Sequence, residues 1–120
     1  MPLQVATSGT GRVAVVSLIG EHDLASAERI RQTLLELSAT VPLVVLDFAE
    51  TTFIDSSVLG VFAGAAKRAG RHGNQLIGVN ASGIVLRTLS ITGIDSLLSL
   101  PASLGELDDE LAFLLQGPDR

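Results

Sequence analysis

Apolar and polar positions along this chain alternate between short strand-like runs and helical stripes. Val13 to Ile19 is a nearly unbroken β-branched and apolar run closed by Gly20, which predicts a strand. Leu3 to Thr7 alternates weakly and predicts an edge strand, joined to it by the turn residues SerGlyThrGly at 8–11. After Asp23, a helix-capping residue type, Ala27, Ile30, Leu34 and Leu37 recur at spacings of three and four. Glu28, Arg31, Gln32 and Glu36 lie mostly off that face, so an amphipathic helix packs here on a sheet. Leu43 to Leu46 follows Pro42 as a continuous apolar run, the pattern of a strand buried on both faces. Asp47 to Ile54 reads as a loop with an apolar bite at Phe53 and Ile54.

AspSerSer at 55–57 opens a helix to about Arg71, with Gly70 and Gly73 marking its end. Gln75 to Val79 predicts a strand, Asn80 to Ser82 a turn and cap, and Ile84 to Leu89 a short helix stopped near Gly93. Ser96 to Leu100 predicts a short strand ended by Pro101. Ser103-x-x-Glu106 is a capping-box pattern, and Leu107, Leu111 and Leu114 stripe a last helix before a frayed tail at 117–120. The order β-β-α-β-α-β-α-β-α predicts an α/β fold. Its single mixed, mostly parallel sheet has four to five strands, with about four helices on right-handed crossovers. At 120 residues the chain is one domain, with its core across 3–115.

The helix behind Asp55 departs from the amphipathic rule. Val58 to Ala66 (VLGVFAGAA) has no charged and no hydrogen-bonding side chain. A helix apolar all round demands burial all round, and a single sheet covers one face. Gly60 and Gly64 each cost about 1 kcal/mol relative to Ala and leave a flat strip one turn apart. The strip either seats the helix closely on the sheet or lets another chain approach. AspSerSer in front of it reads first as a helix cap. A serine in this place is also suited to carry phosphate, because the helix dipole and the unpaired first-turn N–H groups favour added negative charge. A dianion at the rim of an apolar surface would repel a partner without unfolding the domain.

Composition removes other classes. No cysteine is present, which excludes disulfides, thiolate metal sites and thiol nucleophiles and fits a cytoplasmic protein. A net charge of −5 opposes nucleic acid and anionic membrane. The one basic cluster, Lys67, Arg68 and Arg71, sits where it complements a helix C-terminus. Mean hydropathy is high at +0.47, yet no apolar run approaches the ~18 residues of a membrane span, and the N-terminus lacks a signal-peptide pattern. Charged residues make up 18%, below the usual ~25%, which leaves apolar surface for a partner or for weak homodimerisation of the monomer.

The run LDFAETTFIDSSVLGVFAGAAKRA at 46–69 resembles the signature of the STAS domain, and within it the bacterial anti-sigma factor antagonists. Gly20-Glu21-His22-Asp23 and Ile91-Thr92-Gly93-Ile94 resemble two supporting motifs of that family, and the resemblance covers about residues 3 to 115. It implies a non-enzymatic antagonist whose unphosphorylated form binds an anti-sigma factor and frees a sigma factor. The anti-sigma factor is itself a serine kinase that brings its own ATP and Mg²⁺, so this chain needs no cofactor. A phosphatase resets the cycle. The implied acceptor is Ser57, with Ser56 as the lesser candidate, and Asp23 and Asp55 help position the kinase. The expected partner-binding set is Asp23, Asp55, Ser56, Val58, Leu59, Gly60, Val61, Phe62 and Gly64. The chain departs from the family pattern at Val58, where Gly or Ala is usual, and at His22, where an apolar residue is usual. A β-branched neighbour of Ser57 is expected to narrow the kinase's approach.

Two competing readings remain. One is an adaptor of the same fold that is never phosphorylated, in a stress-sensing or transporter-associated complex. The other is a hydrolase built from Ser57, His22 and Asp23 or Asp55, which lacks a Gly-x-Ser-x-Gly elbow. His22 and His72 stand far apart without further ligand spacing, so no metal site is expected, and no phosphate loop is present.

Overall fold

A computed structural model describes residues 2–98 and 107–116. β1 (Leu3–Thr7) and β2 (Val13–Leu18) form the expected hairpin, followed by β3 (Gly20–His22) and α1 (Leu24–Thr40). Then come β4 (Leu43–Asp47), β5 (Thr51–Ile54), α2 (Ser56–Arg71) and β6 (Gln75–Val79). The helices α3 (Gly83–Thr92), α4 (Ile94–Leu97) and α5 (Leu107–Gln116) complete the order. The main sheet runs β1-β2-β4-β6, with β1 antiparallel at one edge and the other pairings parallel.

The period-2 alternation of strands divides the core between two sheet faces. Ala14, Val16, Leu18, Val44, Leu46 and Leu76 meet α1, α2 and α3 on one side. Val13, Val15, Leu43, Val45 and Ile77 meet Leu111 of α5 on the other. β2 and β4 are thus covered twice, which accounts for their unbroken apolar runs. The α2 helix is anchored by Val58, Leu59, Phe62, Ala65 and Ala69. The Phe62 ring meets Phe48 edge-on, with centroids 5.8 Å apart.

Two expectations need correction. The strand expected at Ser96 to Leu100 is helical at its start, because α4 restarts a helical turn after Gly93, which sits at φ 78°. Leu98 then buries itself, and its carbonyl accepts one hydrogen bond from Gly78 N at the free edge of β6. Residues 99–100 and the capping-box pattern at 103–106 lie outside the described residues. The stretch 47–54, expected as a loop, instead contains β5. This strand pairs in parallel with β3 to make a second, two-stranded sheet. Strands of three and four residues with a register irregularity after Gly20 are too short to leave a periodic signal.

Candidate functional site

The small β3–β5 sheet places two helix starts side by side. Asp55 N donates to His22 O at 3.1 Å, which ties the residues just before α1 to those just before α2. Asp23 caps α1, accepting from Ala25 N at 2.9 Å. Asp55 caps α2, accepting from Ser57 N at 3.0 Å and Val58 N at 3.4 Å. The Ser57 hydroxyl donates a short hydrogen bond to the same Asp55 oxygen. The Leu24 N–H of α1 adds a smaller pull on the Asp55 carboxylate. One carboxylate therefore caps α2 with donors of its first turn, and Asp55 N ties it to the residue just before the α1 cap.

Those donors decide its ionisation. The Ser57 hydroxyl, aided by the N–H groups of Val58, Ser57 and Leu24, holds the Asp55 carboxyl below its ordinary value against some desolvation. A depressed folded-state value means that the cap stabilises the protein above the carboxyl's unfolded value. The contribution is lost as pH falls through the folded value. Replacing Ser57 by Ala removes the largest cause, so the Asp55 carboxyl should titrate higher in Ser57→Ala. A side-chain carbonyl NMR titration reads this directly, and an unmoved midpoint would contradict the assignment.

Ser57 is half-buried and Ser56 exposed. Ser57 is also at one end of an open groove of about 430 Å³ between α1 and α2. Arg31 and Leu35 line it from α1, and Gly60, Val61, Gly64, Ala65 and Arg71 line it from α2. Gly60 and Gly64 face outward, and a methyl group built on either would meet nothing within 4 Å. The strip is therefore not a device for close packing on the sheet, and the outward alternative holds. The helix escapes the demand for burial all round because its outer face carries little side chain to bury.

Three residues expected to face a partner do not. Val58, Leu59 and Phe62 are buried in the core, with Val58 and Phe62 at 0% exposure. Val61 is half-buried on the groove wall, whereas Asp23, Ser56, Gly60 and Gly64 are exposed. The burial of Val58 also corrects the expectation that its branched side chain crowds the acceptor, since it turns into the core. Two exposed apolar side chains flank the site, and neither was expected in the partner surface. Leu24, next to Asp23, is 75% exposed, and Phe53, two residues before Asp55, is 42% exposed.

The triad geometry does not form. His22 is 1% exposed, with Nδ1 3.2 Å from Ser26 Oγ and Nε2 3.1 Å from Ile19 O, while the Ser57 hydroxyl engages Asp55. Among the described residues, no group of three His, Cys, Asp or Glu side chains is placed to hold a metal ion. No described helix is long and apolar enough to cross a membrane.

Comparison with known proteins bears on the family and the fold. The STAS domain family model matches residues 4–107. The anti-sigma-B factor antagonist of Bacillus subtilis (strain 168) is 30% identical over 87 residues, covering 72% of this chain and 80% of that protein. The anti-sigma factor antagonist SpoIIAA in its unphosphorylated form shares the fold with a TM-score of 0.74 at 23% identity. That match covers 92% of this chain and 96% of the other. The Bacillus cell fate determinant SpoIIAA in the phosphorylated form gives a TM-score of 0.69 at 22% identity, covering 91% and 98%.

Proposed function

This chain belongs to the STAS domain family, and from that premise we propose that it is a non-enzymatic anti-sigma factor antagonist switched off by phosphorylation at Ser57. Its unphosphorylated form binds an anti-sigma factor that is also a serine kinase, which releases the sigma factor in the cytoplasm. The kinase supplies ATP and Mg²⁺, and a phosphatase returns the antagonist to its binding form. The observation that carries this reading is the hydroxyl of Ser57. It is oriented by Asp55 and sits at the rim of a groove whose floor, Gly60 and Gly64, is open. In the transfer step the γ-phosphoryl group of ATP passes to Ser57 Oγ. The bond to the β-phosphate breaks, ADP leaves, and the hydroxyl proton passes to a base of the kinase.

The anti-sigma-B factor antagonist relationship supports this role, and so does the likeness to a fold neighbour known in unphosphorylated and phosphorylated forms. The partner surface we assign comprises Asp23, Asp55, Ser56, Gly60, Val61 and Gly64, joined by Leu24 and Phe53. Incubation with the partner kinase and ATP should add the mass of one phosphate to the intact protein, and Ser57→Ala should gain none. A protein that gains no mass with its own bound kinase is instead a constitutive adaptor. Retained phosphorylation in Ser57→Ala would move the acceptor to Ser56.

A further inference from the structure

A charge arrangement in the groove bears on what happens after Ser57 is modified. A phosphorylated Ser57 has no hydroxyl hydrogen left to donate to Asp55. An ester phosphate of about −1.5 to −2 charge would stand beside a carboxylate that already occupies the N–H groups of Ser57 and Val58. Two of the first-turn N–H groups expected to favour the added charge, those of Ser57 and Val58, are thus already taken by Asp55. The two anions repel, and the phosphate must turn elsewhere.

Among the groove-lining residues two are cationic, Arg31 and Arg71. Arg71 lies fourteen residues beyond Ser57 on the same helix, about 21 Å along its axis. Arg31 stands on α1, two turns from its start at Leu24, the end that lies beside the start of α2. Its guanidinium folds back one turn toward that same end, donating to Glu28 at 2.9 and 2.6 Å. Both members of this pair are well exposed, at 48% and 62% of their side chains, and such pairs hold weakly. Arg31 and Ser57 line the same groove, together with Gly60, which contributes no side chain to it.

We propose that Arg31 is the intramolecular ligand of phosphorylated Ser57. Its guanidinium leaves Glu28, takes two phosphate oxygens in its planar fork and draws the phosphate into the groove. This rests on the reading of Ser57 as the phosphoacceptor and adds how the modified form closes. The phosphate repels a partner at the rim, and together with Arg31 it also fills the space above Gly60 where a partner would approach.

The test does not depend on the kinase. Phosphoserine inserted at position 57 during translation of the full chain gives the modified protein directly, and ³¹P NMR reads the second ionisation of its phosphate. Arg31→Ala should raise that midpoint by about half a unit to one unit relative to the parent. Arg31→Lys should recover part of the shift, because it restores the charge without the fork. Arg71→Ala should leave the midpoint in place. Equal shifts for Arg31→Ala and Arg71→Ala, or no shift for Arg31→Ala, would overturn the assignment. Failure of the kinase to modify Ser57 would leave this result intact and would count against the proposed function alone.

Discussion

Leucine in place of Gly64 should weaken binding of the anti-sigma factor by roughly ten- to a hundredfold without loss of fold. Beyond its own stretch of helix nothing lies within 4 Å of where the new Cβ would stand, and Gly64 is exposed on the open groove, so the longer side chain has space in the folded monomer. Gly64 is also inside α2, where Gly is disfavoured by about 1 kcal/mol relative to a good helix former. The variant should therefore melt at the same temperature as the parent or slightly higher. A partner lying close over the strip meets four added carbon atoms, and overpacking of that kind costs about 1–3 kcal/mol. Binding calorimetry and thermal unfolding on the same sample separate the two effects. A variant that binds normally would place the partner elsewhere, and one that melts much lower would place the strip against the protein's own core.

The strip, the acceptor and the cap had different visibility in the sequence. Residue types alone singled out AspSerSer at 55–57 and the two glycines, because a cap followed by an uncharged helix breaks the amphipathic pattern. Which side of α2 faced outward was not legible. Val58, Leu59 and Phe62 are as apolar as Val61, and only the packing of α2 against the sheet and Phe48 assigns the former to the core. β2 and β4 were legible because strands covered on both faces are continuous apolar runs, and β6 was legible from the short apolar pair Leu76 and Ile77. The β3–β5 pair was not, since three residues and four residues carry no period. Yet that pair fixes the Asp23 and Asp55 caps beside each other. The end of the chain misled for a different reason. Ser96 to Leu100 carries the apolar spacing of a short strand, but the left-handed Gly93 redirects the backbone into a helical turn first. His22 stood out as a polar departure from the family pattern. In the fold its ring nitrogens are engaged by Ser26 and Ile19, so the site does not draw on it.

Phosphate at Ser57 should abolish the interface while the domain stays folded. Ser57 lies at the first turn of α2 with its side chain at the groove rim, so the phosphate enters solvent-accessible space and displaces no core atom. What it changes is the cost of covering that surface. A partner must strip water from an added charge of about −1.5 to −2, and the desolvation of such a charge costs several kcal/mol. The most direct measurement is a comparison of the phosphoserine-57 protein with the unmodified protein, for affinity toward the anti-sigma factor and for melting temperature. The account predicts binding weaker by at least about a hundredfold, with melting temperatures that agree within a few degrees. Equal affinity of the two forms, or unfolding of the phosphorylated one, would contradict it.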